Sequence, residues 1–330
     1  MGGALELVVI PDVLGTSYQS LTLPLRPDSE GDVVATLVRR RCERPTRRAV
    51  LYIHGFHDYF FQTELADWYV DRGFTFYAID LRKHGRSMRP WHTPNFCHSL
   101  AEYAEELDLA VKVIKEIDGH DTLVLNAHST GALTAALWCH ARRRAGHVNA
   151  LVLNSPFLSL GAPWPVRAAA ACLIGPLASR WPRARVRSAA AGLYGRSLHR
   201  DHHGEWDFDP RWKPLDPWAI HAAWLDAVLR AQRTLRRGLD IGCPVLVLCS
   251  AASSRFRRWD DTIMRTDAVL DVSHIVRWAP RLGRHVTCLQ IEGGMHDLTL
   301  SARPVRKQVY DELGRWLGAY LSGQVRDRLL

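Results

Sequence analysis

Residues 126–131 read Asn-Ala-His-Ser-Thr-Gly and directly follow a short apolar run. An apolar strand that continues into small-x-Ser-x-Gly and then into a helical stretch, here about 132–144, is typical of a nucleophile elbow. In such a turn the residues two before and two after the serine must be small, as Ala127 and Gly131 are. The turn would hold the Ser129 hydroxyl clear of the backbone, at the positive end of the helix. Ser129 is therefore the predicted nucleophile; a serine that only caps a helix is the alternative that the motif alone leaves open.

Two backbone amides are predicted to stabilise the negative charge that forms when this serine attacks a carbonyl group. The strand-like run 49–53 leads into His54-Gly55-Phe56, and a His-Gly-x turn after a buried strand can point the Phe56 N–H at the nucleophile. With the N–H of Thr130 it would form an oxyanion hole, in which one donor contributes about 2.7–4 kcal/mol of transition-state stabilisation. An ordinary strand-to-loop turn is the alternative interpretation.

A histidine and a carboxylate complete the chemistry that a serine nucleophile needs. His296 lies on a glycine-rich loop after the strand-like run 285–291, where its imidazole can accept the serine proton and later return it to the leaving group. No acid directly follows the strand predicted at 244–248. Asp267 is the preferred acid, because Asp-x-Val-aliphatic is the form expected at the start of the helix before the last strand. Asp271 and Asp261 remain alternatives, and so does a role for Asp267 as a mere helix cap.

The elements that must position these residues alternate between strand-like and helix-like runs. This alternation predicts an α/β fold with a mostly parallel central sheet and helices on both faces. Antiparallel strands at about 5–10, 21–23 and 33–38 are expected at one edge of the sheet, and a last amphipathic helix is expected at 305–321.

About 85 residues separate the strand that ends near 154 from the next core strand near 244, far more than one crossover helix needs. We therefore predict a core formed by 1–155 and 241–330, with a helical cap at 156–240. Six tryptophans fall inside this insertion: Trp164, Trp181, Trp206, Trp212, Trp218 and Trp224. An aromatic cap over a serine would favour an apolar acyl or aryl substrate and exclude water.

Two helices are expected within the insertion. The alanine-rich run 168–177 is interpreted as a cap helix packed on the core, and weak contact with a membrane surface is the alternative. The run 222–239 is predicted to be an amphipathic helix that returns the chain to the core.

Taken together, the chain resembles an α/β-hydrolase of the monoacylglycerol-lipase, lysophospholipase and serine-aminopeptidase-like branch. The matching residues are His54-Gly55-Phe56, Asp80 with Gly85-Arg86-Ser87, Ala127-His128-Ser129-Thr130-Gly131, Asp267-x-Val269 and Gly294-Met-His296-Asp297. The resemblance covers about 30–155 and 240–322. It implies a Ser129–His296–Asp267 triad, with the amides of Phe56 and Thr130 as the oxyanion hole. Ala127 replaces the usual glycine, and about a dozen extra residues precede the acid.

Composition limits the partners, cofactors and cellular compartment that can be expected for this chain. The net charge of +9 comes from arginines scattered along the chain without a zinc-finger, RNA-binding or helix-turn-helix pattern, so no nucleic-acid partner is expected. Seven cysteines without a C-x-x-C pair favour a reducing cytoplasm. No motif calls for a cofactor or a metal ion.

The sequence thus predicts a cytoplasmic serine hydrolase that cleaves carboxylic esters, such as a monoacylglycerol or lysophospholipid, through an acyl-enzyme. Its partner would be a small acyl ester. A thioesterase or acyltransferase would use the same triad, and a catalytically silent ligand-binding protein of the same fold is the alternative from another class.

Overall fold

The computed structural model describes residues 8–161, 164–186, 192–256 and 258–321, and it is built around a nine-stranded sheet. The strand order in this sheet is β1-β2-β3-β5-β4-β6-β7-β10-β11. Its strands are β1 Val9–Asp12, β2 Gly15–Pro24, β3 Val34–Arg40, β4 Arg48–Ile53, β5 Thr75–Asp80, β6 Thr122–His128, β7 Ala150–Asn154, β10 Val245–Ser250 and β11 Val286–Ile291. The first three strands are antiparallel to their neighbours, and the pairs from β5 to β11 are parallel. The predicted mostly parallel sheet is therefore confirmed.

Helices cover both faces of the sheet. They are α1 Thr63–Val70, α2 Ala104–Lys112, α3 Ser129–Ala141, α4 Trp164–Arg180, α5 Leu193–Leu198, α6 Ala222–Arg236, α7 Val272–Trp278 and α8 Arg303–Leu321. On one face α2, α3 and α6 share a buried apolar cluster with the strands; on the other face α1 and α8 form a second cluster. No helix in the described part of the chain is long and apolar enough to cross a membrane.

Some predicted boundaries were displaced. The first edge strand begins at Val9, and residues 5–7 of the strand expected at 5–10 lie outside the described residues. The helix after the nucleophile begins at Ser129 itself and ends at Ala141, three residues earlier at both ends than the apolar pattern indicated. The reason is that Ser129, which makes the turn, is also the first residue of the helix, so no linking residues separate the strand from the helix.

The chain between β7 and β10 contains α4, α5, α6 and a small antiparallel pair, β8 Arg185–Val186 and β9 Ile220–His221. The returning helix predicted at 222–239 is present as α6, although it ends three residues earlier, at Arg236. Its Trp224, Val228 and Leu235 are buried in the cluster that also contains α3. Helix α4 packs on α6 and exposes Val166 and Leu173.

Candidate active site

The predicted nucleophile lies at the sharpest turn of the chain. Strand β6 ends at His128, and Ser129 begins α3 with a backbone φ of 53°, in the left-handed region that costs a serine about 1–3 kcal/mol. Gly131 makes the turn sterically possible, since a Cβ atom there would lie 2.1 Å from the carbonyl oxygen of His54. Ala127 is fully buried between β4 and β7. The small residues flanking the serine are thus required by the packing of three strands and a helix.

The three predicted triad residues lie in one hydrogen-bonded row. The Nε2 atom of His296 is 3.0 Å from the Oγ of Ser129, and its Nδ1 is 2.9 Å from Oδ2 of Asp267. All three side chains are buried, with exposed fractions of 7% for the serine, 3% for the histidine and 0% for the acid. With Nδ1 donating to the carboxylate, Nε2 is free to accept the serine proton. The arrangement can generate a nucleophilic oxygen.

The extra residues before the acid form a closed excursion from the end of β10. The chain leaves the sheet after Ser250, and a parallel bridge joins Ser253 to Asp267. The amide of Asp267 donates to the oxygen of Ala252 at 2.9 Å, and that of Ser254 donates to the oxygen of Asp267 at 3.0 Å. The acid is therefore returned to the end of β10 despite the longer loop.

The expectation that Asp267 starts the helix before the last strand was wrong. Helix α7 begins at Val272, and its cap is Asp271, whose side chain accepts from the amide of Ser273. Asp267 lies one turn earlier, where its Oδ1 accepts the amides of Val269 and Leu270 at 2.9 and 2.7 Å. These two bonds, rather than a helix, orient the carboxylate toward the histidine.

The two alternative acids lie elsewhere in the described structure. Asp271 is engaged as the cap of α7. Asp261 accepts a hydrogen bond from the indole of Trp259 at 3.0 Å, on the exposed part of the excursion. The structure brings only Asp267, among these three candidates, to the histidine.

The predicted oxyanion loop follows β4 and lies against the serine. A Cβ on Gly55 would be 3.1 Å from Cβ of Ser129, so the backbone that leads to Phe56 passes directly over the nucleophile. Thr130 is in the first turn of α3, where backbone amides have no acceptor within the helix. The Phe56 donor thus follows a residue that lies close to Ser129, and the Thr130 donor belongs to the residue directly after Ser129.

This geometry can be compared with known proteins. The model of the family described as serine aminopeptidase, S33 matches residues 44–256, about two thirds of the chain. The chain belongs to the serine aminopeptidase S33 family. The resemblance to this branch of the α/β-hydrolases is therefore confirmed, and the protein is a hydrolase by family. Among curated protein sequences no match was found.

Solved structures show the same fold as this S33 family member. The monoacylglycerol lipase of Paleococcus ferrophilus is 19% identical, with a TM-score of 0.62 over 86% of this chain and 99% of that one. A soluble variant of the Saccharomyces cerevisiae monoglyceride lipase, in complex with a substrate analog, is 16% identical, with a TM-score of 0.65 over 91% and 96%. A thermostable Bacillus coagulans carboxyl esterase in complex with glycerol is 13% identical, with a TM-score of 0.64 over 93% and 99%.

Behind the Ser129–His296–Asp267 row of this S33 family member lies a buried group of ionisable side chains that was not predicted from the sequence. Asp58, His128 and Asp297 are all buried, and the Nδ1 of His128 lies 3.6 and 4.0 Å from carboxylate oxygens of Asp58 and Asp297. Burial by itself lowers the pKa of His128, but the two carboxylates outweigh it, so the net shift is upward. The imidazole ring lies with its centroid 4.9 Å from that of His296. His296 thus has a second buried histidine beside it, one whose pKa the neighbouring carboxylates raise.

The same three side chains place one ligand atom each within 4.8 Å of one another, a spacing that a metal ion could bridge. A cation is already supplied there by Lys213, whose Nζ is 2.8 Å from Oδ1 of Asp58. Its ammonium group would repel a metal ion at this position. The donor set therefore fits an internal ion-pair network better than a metal centre.

Asp297 has no direct contact with the reacting atoms, although it neighbours His296 in the sequence. Its Oδ1 accepts from Nδ2 of Asn154 at 2.7 Å, and its amide donates to the hydroxyl of Tyr194 at 3.0 Å. The ring of Tyr194 also packs edge-on against His296, with ring centroids 5.6 Å apart. The loop that carries the histidine is therefore held from β7 on one side and from the insertion on the other.

Proposed function

We propose that the protein is a serine hydrolase that cleaves carboxylic esters through an acyl-enzyme. The observation that carries this proposal is the Ser129–His296–Asp267 row, with its two hydrogen bonds of 3.0 and 2.9 Å. Membership of the S33 family and the fold shared with two monoacylglycerol lipases and a carboxyl esterase support it.

The proposed reaction proceeds in two halves. Nε2 of His296 accepts the proton of Ser129 as the serine oxygen attacks the ester carbonyl, and the imidazolium is stabilised by the carboxylate of Asp267. The amides of Phe56 and Thr130 donate to the oxyanion of the tetrahedral intermediate. His296 then protonates the departing alcohol. In the second half a water molecule, activated by the same imidazole, releases the acid and restores the serine.

We further propose that the substrate is a monoacylglycerol, a lysophospholipid or a similar ester with an apolar acyl chain. Aromatic side chains support this choice, because the ring of Phe56 stacks on that of Trp224 at a centroid distance of 3.7 Å. An apolar acyl group would gain about 0.8 kcal/mol for each CH₂ buried against such a wall.

We also propose that residues 156–240 act as the cap. Tyr194 supports this, because it contacts both His296 and Asp297 from within the insertion. The exposed Val166, Leu173 and Trp181 support a weak contact of this segment with a membrane surface. The seven cysteines are all free thiols, which supports a cytoplasmic location.

The first test is labelling with a fluorophosphonate probe, which reacts with activated serines. Wild type should be labelled and Ser129→Ala should not, while Ser17→Ala, which removes an exposed serine of β2, should be labelled like wild type. Hydrolysis of monoacylglycerols, lysophospholipids and matched thioesters of increasing chain length then defines the substrate class. If folded wild type takes no label and cleaves none of these, or a small aryl ester, the hydrolase proposal is wrong and a ligand-binding role replaces it. Faster turnover of thioesters than of esters would favour the thioesterase alternative.

A further inference from the structure

The loop that follows β4 is joined to the insertion at almost every residue. The partners run in opposite order along the two segments, so residues 56–61 and 208–224 lie side by side and antiparallel. The contacts are Phe56 with Trp224 at 3.7 Å between ring centroids, His57 with Trp218 at 5.6 Å, Asp58 with Lys213 at 2.8 Å, Tyr59 with Trp212 at 5.2 Å and Phe61 with Phe208 at 5.1 Å. We call these contacts the loop–cap seam. The loop predicted to carry an oxyanion donor is therefore held by the insertion as well as by the core.

One contact in the seam is ionic and buried. The Lys213 side chain is 8% exposed and that of Asp58 is 1% exposed. The ammonium group also lies 5.7 and 5.9 Å from the ring centroids of Phe61 and Phe208. Burial raises the pKa of Asp58, but Lys213 and His128 outweigh it and hold that pKa well below its usual range. Removing one partner of a buried ion pair leaves the other charge uncompensated away from water, which is strongly unfavourable, so the two side chains hold each other in place.

The ion pair lies only two residues from the predicted donor. Asp58 follows Phe56 with His57 between them, and His57 has a φ of 52°. A residue in the left-handed region must be held by its surroundings. Here the surroundings on both sides of His57 come from the insertion: Trp224 holds the ring of Phe56, and Lys213 holds the carboxylate of Asp58.

We propose that Lys213 is a positioning residue: its ion pair with Asp58 fixes the backbone that directs the Phe56 amide toward Ser129. The inference rests on the proposed function and extends it, since it makes the oxyanion hole depend on a side chain of the cap. Without Lys213, the Asp58 carboxylate would still face His128, 3.6 Å away. The carboxylate would turn toward that imidazole, and the backbone around Asp58 would be displaced with it.

The test compares the ester hydrolysis of wild type with that of three variants. Lys213→Met removes the ammonium group but keeps an apolar stem. Asp58→Asn/Lys213→Met removes both charges. Lys307→Met is the matched control, because it removes an equally short lysine–aspartate pair, 2.7 Å to Asp311, on the outer face of α8.

We expect Lys213→Met to lower kcat about 10- to 100-fold, a part of the effect of losing one oxyanion donor. KM should change less than about 3-fold, because the substrate's apolar contacts are unchanged. The double variant should recover part of the loss, since it has no uncompensated carboxylate, and Lys307→Met should behave as wild type. Rates are expressed per serine that the fluorophosphonate labels at completion, so that a smaller folded fraction does not imitate a catalytic loss. An unchanged kcat per labelled site in Lys213→Met would overturn the proposal; should that variant not fold, Lys213→Gln is measured in its place.

A second measurement separates this proposal from the proposed function. Hydrogen exchange of the backbone amides of 54–60 reports the order of the loop without any substrate. Exchange should be faster in Lys213→Met than in Lys307→Met and wild type. If wild type cleaves no ester and this difference is present, the proposed function fails and the positioning role of Lys213 is supported. If the exchange of 54–60 is the same in all three proteins, the positioning role is overturned whatever the activity.

Discussion

Replacing Asp267 by asparagine should disable the enzyme by changing which nitrogen of His296 carries the proton. One oxygen of the acid, Oδ1, accepts two backbone amides at 2.9 and 2.7 Å, and the other accepts from His296. An asparagine can keep the two amide bonds only by leaving its carbonyl oxygen in the Oδ1 position. Its NH₂ group then faces Nδ1 of the histidine and can only donate. The imidazole must accept at Nδ1 and hold its proton on Nε2, where it cannot take the proton of Ser129.

The magnitude follows from the cost of the opposite orientation. Turning the asparagine would place NH₂ against two buried amides, and each unsatisfied buried donor costs about 1–3 kcal/mol. A preference of at least about 2 kcal/mol leaves no more than about one molecule in thirty with a usable imidazole. The loss of the negative charge that stabilises the imidazolium adds to this. We expect kcat to fall by about 10³–10⁴, or about 4–5.5 kcal/mol at 1.36 kcal/mol for each factor of ten.

The assay is the steady-state hydrolysis of a soluble acyl ester by wild type, Asp267→Asn and two control variants. Asp271→Asn and Asp261→Asn carry the same chemical change at the other candidate acids, where one caps α7 and the other accepts from an indole. Asparagine is as good a helix cap as aspartate, and its carbonyl oxygen can accept from the indole as the carboxylate does, so both controls should keep wild-type kcat. A folded Asp267→Asn with kcat within tenfold of wild type, or a larger loss in either control, would refute the reasoning.

Three further predictions concern the turn at the serine and two ion-pair networks of the fold. Gly131→Ala puts a Cβ 2.1 Å from a backbone oxygen and should lower the folded yield or kcat at least tenfold, whereas Gly318→Ala, with open space around it, should not; expression yield and esterase activity check both. Arg86→Met leaves two carboxylates buried without their guanidinium partner, and urea unfolding should show a loss of about 3–5 kcal/mol. Burial raises the pKa of Glu30, but hydrogen bonds from Lys83 and neighbouring groups outweigh it and lower that pKa from 4.5 to about 2. The ionised Glu30 therefore stabilises the fold above pH 4.5 and loses this effect toward pH 2, so the unfolding free energies of wild type and Glu30→Gln should converge as the pH falls from 5 to 2.

The serine and the histidine could be placed from the sequence because one is constrained by its immediate neighbours and the other by the order of the strands. The turn at Ser129 requires small neighbours within two residues, and such a requirement is visible in six consecutive letters. His296 is located by the order of the parallel strands, since a loop after the last strand ends at the same edge of the sheet as the loop after β6.

The acid was harder to place because its position depends on a closure that has no local signature. Nothing in the residues between Ser254 and Thr266 indicates that the two ends of this segment pair with each other. The expected helix start was displaced for a related reason: Asp267 and Asp271 both precede apolar residues, and only the packing decides which of them caps α7.

Lys213 and Asp58 were not predicted because their significance is entirely tertiary. The two residues are 155 positions apart, and the lysine stands in a proline-containing stretch without regular structure. A buried lysine cannot be distinguished from an exposed one by its neighbours in the sequence. The tryptophans of the insertion are visible in the sequence, but the segment of the core that they contact is not.

Because the loop before Asp267 is closed at its base, the number of residues in it does not determine where Asp267 lies relative to His296. The two hydrogen bonds that join Asp267 to Ala252 and Ser254 fix the acid at the end of β10, whatever the number of residues between 254 and 267. The entropy of closing such a loop grows only slowly with its length, by about 0.6 kcal/mol for each doubling. The exposed part of this segment, at Asp260 and Asp261, is thus a place where the chain can gain or lose residues, or accept an inserted binding element, while His296 keeps its carboxylate partner.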